Sequence, residues 1–417
     1  MELKRVVVTG IGALTPIGNN VKEFREALFN GVSGAAAITR FDASRHKTQF
    51  ACELKNYNPL DYFDRKEARK LDPYAQYGII SSDEALHDAG MDTEQPDGDR
   101  IGVIMSSGIG GIKTMEDEVS HFVEGDGTPR FNPFFVPKMI SDIASGHISM
   151  KYGFRGPNYG VVAACATSTV ALINSFDHIR LGRADVMVAG GSEASLTPSG
   201  VGGFNAMHAI SVRNDDPATA SRPFDLDRDG FVMAEGAGTL ILESYDHAVK
   251  RGARIYCEIM GAGLTADAYH LTAPHPEGLG AANVMQFALR ESGLQPEDID
   301  YINVHGTSTP LGDIAEPLAI KTVFGDYAYK LSISSSKSMH GHLLGAAGAV
   351  ESIVSILSIL ENRIPPTINH FTDDPRIDNK LDFTFNKAKD RIVNTALNNT
   401  FGFGGHNGSI LFKKFNS

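Results

Sequence analysis

Short apolar runs that suit buried strands alternate with helical patterns along most of the chain. Runs at 101–106, 184–189 and 299–304 are too short for helices and are bounded by turn residues. The stretches between such runs repeat apolar residues every three or four positions, as one face of a helix requires. This alternation predicts an α/β layered fold with a largely parallel sheet.

The element pattern of the first half of the chain recurs in the second half. Strand and helix patterns continue from 256 to 335, and two final strands bracket a glycine-rich loop at 402–405. The two halves share little sequence, so the duplication rests on the order of elements alone. We expect two similar α/β units, residues 1–252 and residues 253–417.

One cysteine stands where an apolar run gives way to a helical pattern. In the stretch 159–172, Cys165 follows two alanines and precedes apolar residues at helical spacing, including Val170 and Ile173. A strand-to-helix junction offers free backbone N–H groups and the positive end of a helix dipole, which lower the pKa of a thiol. The same stretch is compatible with a small buried thiol in an alanine-rich core.

Composition limits the partners and the compartment. The chain has 417 residues, a formal net charge of −12 and three widely separated cysteines. The negative charge disfavours nonspecific nucleic-acid binding, and the odd cysteine count favours a reducing compartment, by default the cytoplasm. No apolar run approaches the roughly 20 residues of a membrane span and no signal peptide is recognisable, so no membrane association is expected.

Four basic residues are a local exception to the acidic balance. Arg65, Lys66, Arg69 and Lys70 share one face if residues 61–72 are helical. Such a face is either solvated and paired with neighbouring carboxylates or attracts an acidic partner.

Two cofactor motifs are only half matched. Residues 10–16 begin like a dinucleotide-binding loop, but the third glycine is missing and Pro16 disturbs the helix start. Residues 225–236 begin like an EF-hand loop, but the twelfth position is Gly236 instead of glutamate. Neither a nucleotide site nor a calcium site is predicted.

Groups able to do acyl-transfer chemistry lie at the ends of the predicted strands. His305, Lys337 and His342 each come shortly after a strand pattern, where parallel α/β folds place their active groups. The loop 402–405 supplies accessible backbone N–H groups. With Cys165, these are the parts of thiol-based acyl transfer.

Four motifs in a fixed order carry a family resemblance. They place Cys165 in Ala-Ala-Cys-Ala-Thr, His305 in Val-His-Gly-Thr-Ser-Thr-Pro, His342 in Lys-Ser-Met-His-Gly-His, and Phe403 in Gly-Phe-Gly-Gly. Over nearly its whole length the chain resembles the β-ketoacyl-acyl-carrier-protein synthases of the thiolase superfamily, most closely the bacterial elongating type II group. The resemblance implies a thiolase-like fold, in which two similar α/β halves form a layered α-β-α-β-α sandwich.

The resemblance implies an acyltransferase that elongates fatty acids by two carbons. Cys165 would accept an acyl group, and the backbone N–H groups of Cys165 and Phe403 would hold the oxyanion. A malonyl thioester would then lose carbon dioxide while His305 and His342 stabilise the enolate, and the enolate would attack the acyl group on Cys165. A stand-alone chain favours fatty-acid synthesis over a related polyketide pathway. No cofactor and no metal are implied.

The resemblance also implies further site residues and a partner. The residues at substrate-binding positions are Ile109, Phe135, Phe204, Thr307, Thr309, Phe401 and Phe403. Those at the docking surface for an acidic acyl carrier protein, loaded with acyl or malonyl groups, are Arg65, Lys66, Arg69 and Lys70. Lys337 and Glu351 match a supporting ion pair, whereas His208 departs from the arginine common in related synthases. A homodimer is implied by the resemblance alone.

Three classes with the same fold fit the motifs less well. A noncatalytic partner subunit would lack the nucleophile that Cys165 provides. A thiolase proper would carry a second reactive cysteine in the C-terminal loop, where this chain has glycines at 402, 404 and 405. An initiating synthase would have asparagine in place of His342.

A metal-dependent hydrolase is the alternative from a different class. It would use His305, His340 and His342, but a convincing ligand set and a general base at ligand spacing are missing. His340 and His406 stand where threonine is common in the resembled family, and both are interpreted as non-catalytic. Asp267 and His270 fall near the site by the same resemblance.

Overall fold

The computed structural model describes residues 3–416, which form thirteen strands and thirteen α-helices. The strands are β1 (Val6–Leu14), β2 (Ala36–Ala37), β3 (Phe50–Ala51), β4 (Ile101–Ser106), β5 (Val186–Glu193), β6 (Gly236–Ser244), β7 (Cys257–Ala266), β8 (Tyr301–Asn303), β9 (Ser332–Ser334), β10 (Arg363–Ile364), β11 (Lys389–Asp390), β12 (Thr395–Gly402) and β13 (His406–Lys414). The helices are α1 (Val21–Phe29), α2 (Arg65–Ala68), α3 (Pro73–Asp88), α4 (Ile112–Glu124), α5 (Phe135–Met139), α6 (Ile143–Tyr152), α7 (Thr167–Arg180), α8 (Pro198–Ala206), α9 (Tyr245–Lys250), α10 (Leu279–Ser292), α11 (Gly312–Phe324), α12 (Lys337–His340) and α13 (Ala347–Glu361).

Nine of the strands form one mixed sheet, in the order β4-β5-β6-β1-β7-β13-β12-β8-β9. Only β4–β5, β12–β8 and β8–β9 pair in parallel, and the five central pairings are antiparallel. The prediction of a largely parallel sheet is therefore wrong. A continuous apolar run indicates that both faces of a strand are buried, which is typical of parallel sheets. These central antiparallel strands are also buried on both faces, so they have the same pattern.

The same strand arrangement occurs on both sides of the β1–β7 pairing. The order β4-β5-β6-β1 in the first half is matched by β8-β12-β13-β7 in the second, and in each run only the outermost pair is parallel. The second half adds β9 outside β8. Its counterpart beside β4 is reduced to a single bridge between Val103 and Asn158, so the strand predicted directly before Cys165 does not form.

Two helices fill the space between the halves of the sheet. α7 packs on β4, β5 and β6 and also contacts β7 and β13, while α13 packs on β12, β8 and β6. On the outer faces, α3 covers β1, β5 and β6, and α10 covers β7 and β13. The layers therefore run α-β-α-β-α, as predicted.

The central helix α13 lies in a strongly apolar stretch of the chain. Residues 344–361 form an 18-residue stretch of mean hydropathy 1.6, long and apolar enough to cross a membrane, contrary to the expectation that no such run exists. In the folded chain 89% of this stretch is buried. It is a core helix enclosed by the two halves of the sheet.

One further segment differs from prediction because of proline geometry. The helix expected over 61–72 is limited to α2, because the residue before Pro73 is driven out of the α region and instead caps α3. The proline-containing segment around Phe135 forms α5. Pro137 lies in the first turn of α5, where its missing N–H has no partner to lose.

Candidate active site

Cys165 lies in a tight turn that leads directly into α7. The turn spans Ala164–Ala166 in 3₁₀ geometry, and α7 begins at Thr167. Ala164 has φ +48°, a left-handed conformation that costs a non-glycine residue roughly 1–3 kcal/mol. The backbone N–H of Ala163 donates to the Thr167 hydroxyl at 2.8 Å, which fixes the turn on the first residue of the helix.

The glycine-rich loop between β12 and β13 lies against this turn. A Cβ at Gly402 would come within 3.1 Å of the Cys165 amide nitrogen and 2.7 Å of the Ala163 carbonyl oxygen, so only glycine permits this approach. Gly404 and Gly405 have φ of +85° and +72°. The loop thereby directs the backbone N–H of Phe403 at the Cys165 thiol, where it favours the thiolate.

The two candidate imidazoles lie face to edge. The ring centroids of His305 and His342 are 5.3 Å apart with an interplanar angle of 86°. His305 follows β8, and both carboxylate oxygens of Glu316 accept from this loop, one from the His305 N–H and one from the Gly306 N–H, each at 2.9 Å. The His342 N–H donates to the Val232 carbonyl at 2.7 Å. Backbone contacts therefore fix both rings relative to each other.

Burial and a neighbouring cation keep both imidazoles neutral. The pKa of His305 and that of His342 are lowered well below 6.5, mainly by burial and next by the charge of Lys337. Lys337 is itself buried and forms an ion pair with Glu351. A neutral imidazole carries one N–H donor, so the pair can stabilise a developing negative charge without first losing a proton.

The pKa of the Cys165 thiol differs from the predicted one. Burial raises the pKa of Cys165 to about 11, although Lys337 and the Phe403 N–H both oppose this shift. The expectation of a lowered thiol pKa at the helix start is therefore wrong. Desolvation in the apolar surroundings outweighs the helix end, because only 8% of the residue is exposed.

A cavity of about 390 Å³ joins these groups. The predicted residues in its lining are Cys165, His305, His342, Thr307, Thr309, Phe401 and Phe403. Asp267 and His208 also line it, and Asp267 ties the glycine-rich loop in place, because its N–H donates to the Gly405 carbonyl at 2.9 Å. The predicted thiol, imidazole and amide groups thus meet at one site.

Other predicted substrate residues lie outside this cavity. Phe204 packs edge-on against Phe231, with centroids 5.5 Å apart, beside the apolar cluster that contains Cys165. Ile109 is exposed and Phe135 is partly exposed on the outer surface near α4 and α5. In the single chain neither side chain reaches the cavity.

The histidines outside the pair are occupied elsewhere. His340 is buried, and its two ring nitrogens lie 2.7 Å from the Gly341 carbonyl oxygen and 2.9 Å from the Ser336 hydroxyl. His270 accepts backbone N–H groups in the loop after β7, and His406 is exposed at the start of β13. Because His340 has no free nitrogen for a ligand, the histidine set of a metal-dependent hydrolase does not form. Within residues 3–416 no group of three or more His, Cys, Asp or Glu has a metal-binding arrangement.

The basic residues form a surface cluster around α2. Arg65, Lys66 and Arg69 are exposed, and the Lys70 ammonium lies 5.5 Å from the centroid of the Phe134 ring. The Asp64 carboxylate caps the helix, accepting two backbone N–H groups at 2.8 Å. Among the described residues, none of these four cations has a carboxylate within ion-pair distance, so the cluster keeps its positive charge.

Two buried carboxylates near the site were not singled out from the sequence. Glu316 holds the His305 loop, and burial raises its pKa to about 7. Glu193 ends β5 and accepts from the Gly108 and Gly345 backbone N–H groups. A glutamate at the end of a buried strand was the available signal for Glu193, since such residues are seldom buried without partners.

The chain is similar to known proteins over its whole length. Residues 3–248 match the family described as β-ketoacyl synthase, N-terminal domain, and residues 256–371 match β-ketoacyl synthase, C-terminal domain. It is 46% identical over 415 residues to 3-oxoacyl-[acyl-carrier-protein] synthase 2 of Synechocystis sp., covering 100% of this chain and 99% of that protein. It is 49% identical over 412 residues to 3-oxoacyl-[acyl-carrier-protein] synthase 2 of Staphylococcus aureus, covering 99% of each.

Solved structures have the same fold. A β-ketoacyl synthase from Burkholderia phymatum superposes with a TM-score of 0.92 at 34% identity, covering 99% of this chain and 100% of that one. A ketosynthase in complex with its acyl carrier protein from a type II polyketide synthase, bound to a hexaketide, gives a TM-score of 0.91 at 35% identity, with the same coverage. The predicted layered α/β fold and family resemblance are confirmed.

Proposed function

The chain belongs to the β-ketoacyl synthase family, and we propose that it is a 3-oxoacyl-[acyl-carrier-protein] synthase that elongates fatty acids by two carbons. The main support for this proposal is a single cavity lined by Cys165, by the neutral pair His305 and His342, and by the Phe403 loop. Each half supplies a different part: residues 1–252 supply the nucleophile, and residues 253–417 supply the imidazoles and the amide loop. The chain is thus an acyltransferase.

The first half-reaction transfers the acyl group to Cys165. The sulfur attacks the thioester carbon of an acyl carrier protein, and the Cys165 and Phe403 N–H groups hold the oxyanion of the tetrahedral intermediate. The carbon–sulfur bond to the carrier then breaks. The proton that leaves Cys165 ends on the carrier thiol, so no net acid or base is consumed even though the resting thiol is neutral.

The second half-reaction forms the new carbon–carbon bond. A malonyl thioester binds with its carbonyl oxygen toward His305 and His342 and loses carbon dioxide, leaving an enolate that the two neutral N–H donors stabilise. The enolate carbon attacks the acyl group on Cys165. The carbon–sulfur bond breaks, the thiolate takes a proton from solvent, and a β-ketoacyl carrier two carbons longer is released.

Lys337 and Glu351 support this chemistry without lining the cavity. The buried ammonium lowers the pKa of both imidazoles and opposes the rise in the pKa of the thiol. Glu351 neutralises the ammonium, which makes its burial tolerable. Thr307 and Thr309, whose hydroxyls lie 3.1 Å apart at the cavity wall, are placed to bind the polar arm that carries the thioester.

The proposed partner is an acyl carrier protein. Arg65, Lys66, Arg69 and Lys70 offer an acidic partner a positive surface on an otherwise negative chain. One of the similar solved ketosynthases is described in complex with its acyl carrier protein. We place the reaction in the cytoplasm, where a reducing environment suits the three free cysteines.

A second copy of this chain is the proposed cover for an exposed apolar surface. Phe122, Phe131 and Phe135 form a chain of ring contacts at 5.5 and 5.3 Å, and Val136, the next residue, is exposed. Apolar surface of this extent is typical of an interface, and a homodimer would cover it. Sedimentation of the wild type as a dimer, and of Phe131→Asp as a monomer, is expected; a monomeric wild type would contradict it.

The function is tested by reconstitution. The purified chain, incubated with acyl-loaded and malonyl-loaded carrier protein, is expected to release carbon dioxide and a β-ketoacyl carrier in equal amounts. Release of carbon dioxide without any condensation product, or no reaction with carrier-linked substrates, would contradict the proposal. Omission of the acyl-loaded carrier is the matched control.

A further inference from the structure

Glu193 is a buried carboxylate beside the nucleophile that no step of the reaction uses. It is fully buried at the end of β5 and accepts four hydrogen bonds. Oε1 accepts from the hydroxyls of Ser107 and Ser195, each at 3.0 Å. Oε2 accepts from the Gly108 N–H at 3.0 Å and from the Gly345 N–H at 3.1 Å. Donors from two distant segments, and from Ser195 two residues further along its own, therefore converge on one side chain.

Two of these donors belong to backbone segments that pack against the nucleophile's turn. A Cβ at Gly108 would lie 3.3 Å from the Ala164 carbonyl oxygen and 2.9 Å from Glu193 Oε2. A Cβ at Gly345 would lie 2.3 Å from the Gly108 nitrogen and 2.8 Å from the same carboxylate oxygen. Because neither position has room for a side chain, the two glycines, the carboxylate and the turn interlock.

One of these segments carries a side chain that packs beside the nucleophile. Leu344, next to Gly345, lies in one apolar cluster with Cys165 and Phe231. A shift of Gly345 therefore moves a side chain that borders the apolar space around the sulfur.

The charge of Glu193 also acts on the thiol. Lys337 and the Phe403 N–H favour the thiolate, whereas Glu193 disfavours it. The remaining titratable groups that line the cavity with Cys165 are His305 and His342, which are neutral, together with His208, Asp267, His275 and Glu316. Removing the negative charge while keeping the shape therefore changes the reactivity of the sulfur in a known direction.

We propose that Glu193 is a positioning residue for Cys165. Its carboxylate holds Gly108 and Gly345 against the nucleophile's turn and so fixes the path by which the acyl chain leaves the sulfur. This role rests on the proposed function. It makes acyl-chain selectivity depend on a residue that never touches the chain.

Two substitutions separate shape from charge. In Glu193→Gln the amide oxygen can accept from both glycine N–H groups while the amide nitrogen donates to the two serine hydroxyls, so the packing is kept and the charge is lost. Glu193→Ala leaves four buried donors without an acceptor. Glu53→Gln is the matched control, because Glu53 is also buried, one of its oxygens accepts two backbone N–H groups, from Thr39 and Arg40, and the other accepts from the Thr39 hydroxyl.

The first measurement is the acyl-chain selectivity of acyl transfer to Cys165. The ratio of kcat/KM for a long and a short acyl carrier thioester is followed by mass spectrometry of the acylated chain. Glu193→Ala is expected to change the ratio by about tenfold or more, since small displacements at a reacting centre have large effects. Glu193→Gln is expected to stay within about threefold of the wild type, and Glu53→Gln to match the wild type. If Glu193→Ala does not fold, Ser107→Ala and Ser195→Ala are expected to change the ratio in the same sense, by less.

The second measurement is the pH dependence of Cys165 alkylation by iodoacetamide, which needs no carrier protein. Glu193→Gln is expected to move the midpoint to lower pH, and Glu53→Gln to leave it unchanged. The proposal is overturned if Glu193→Ala, or the serine variants in its place, retain the wild-type ratio, or if Glu193→Gln leaves the midpoint where it was. A wild type that is alkylated at Cys165 but accepts no acyl group would instead contradict the proposed function, so the two failures are distinguishable.

Discussion

The turn before α7 and the turn before α13 occupy matching places in the two halves of the sheet, yet only one is open to a ligand. Ala164 and Leu344 both have φ of +48°, and each begins a 3₁₀ turn that leads into a central helix. The next residue is Cys165 in the first turn and Gly345 in the second. The two turns therefore have the same backbone conformation, but only the first carries a thiol.

The difference lies in what fills the space before each helix. At Cys165 the space is the cavity, and the Phe403 N–H points at the sulfur. At Gly345 the corresponding N–H is satisfied by the Glu193 carboxylate. One helix start is thus left free to receive a substrate oxyanion, while its counterpart is closed by an anion that the protein supplies itself.

The largest effect is expected when the first turn is made to resemble the second. Cys165→Gly should lower condensation by at least about 10³-fold, because it removes the proposed nucleophile. Condensation is measured as β-ketoacyl carrier formed, and thermal unfolding checks the fold. A variant that condenses at a rate near that of the wild type would show that the thiol of the first turn is not needed for the reaction.

The imidazole pair gives the next largest effect. His342→Ala and His305→Ala should each lower malonyl decarboxylation by about 10²–10³-fold, as expected for the loss of one oxyanion donor. Acyl transfer to Cys165 should be much less affected, because the proposed oxyanion donors for that step are backbone N–H groups. Equal losses in both half-reactions would contradict this division of roles.

The pH profile tests the neutral state of the same pair. Since the pKa of each imidazole is lowered well below 6.5, decarboxylation should not fall as the pH drops through 6.5. Stability, unlike activity, should depend on pH in this range. Below pH 6.5 these histidines bind protons in the unfolded chain but not in the native one, so the free energy of unfolding should decrease as the pH falls. An acid limb of activity near pH 6.5 without loss of structure would contradict the assignment.

Part of the fold and of the site could be predicted from the sequence, and part could not. The layered fold, the element order and the convergence of Cys165, His305 and His342 were predictable, because apolar periodicity and motif spacing are local properties of the chain. The raised pKa of the thiol was not, because it depends on how completely residues distant in sequence exclude water. Glu193 and Gly345 were missed for the same reason: their meaning comes from a contact 152 positions apart in the chain.

The buried ion pair behind the imidazoles should affect stability as well as rate. Lys337→Met leaves Glu351 buried without its partner and should destabilise the fold by roughly 3–5 kcal/mol in chemical unfolding. It also removes the charge that lowers the pKa of both imidazoles. The double variant Lys337→Met/Glu351→Leu should recover much of the stability; recovery of none would count against an unpaired charge as the cause.

The smallest effect is expected at the surface, far from both turns. Lys66→Glu with Arg69→Glu should raise KM for carrier-linked substrate several-fold at low salt, with kcat little changed, and the effect should shrink as salt is added. Lys250→Glu with Lys380→Glu, at two exposed lysines outside the α2 cluster, is the charge-matched control. A KM change that is independent of salt would remove the α2 cluster from carrier docking.

The most direct test of the contrast between the turns is to locate the acyl group on the protein. The chain is incubated with an acyl carrier thioester in the absence of malonyl groups, digested, and mapped by mass spectrometry. One acyl group per chain, on the peptide that contains Cys165 and lost in Cys165→Gly, is the expected result. Acylation at another residue, or acylation that survives in Cys165→Gly, would contradict the account.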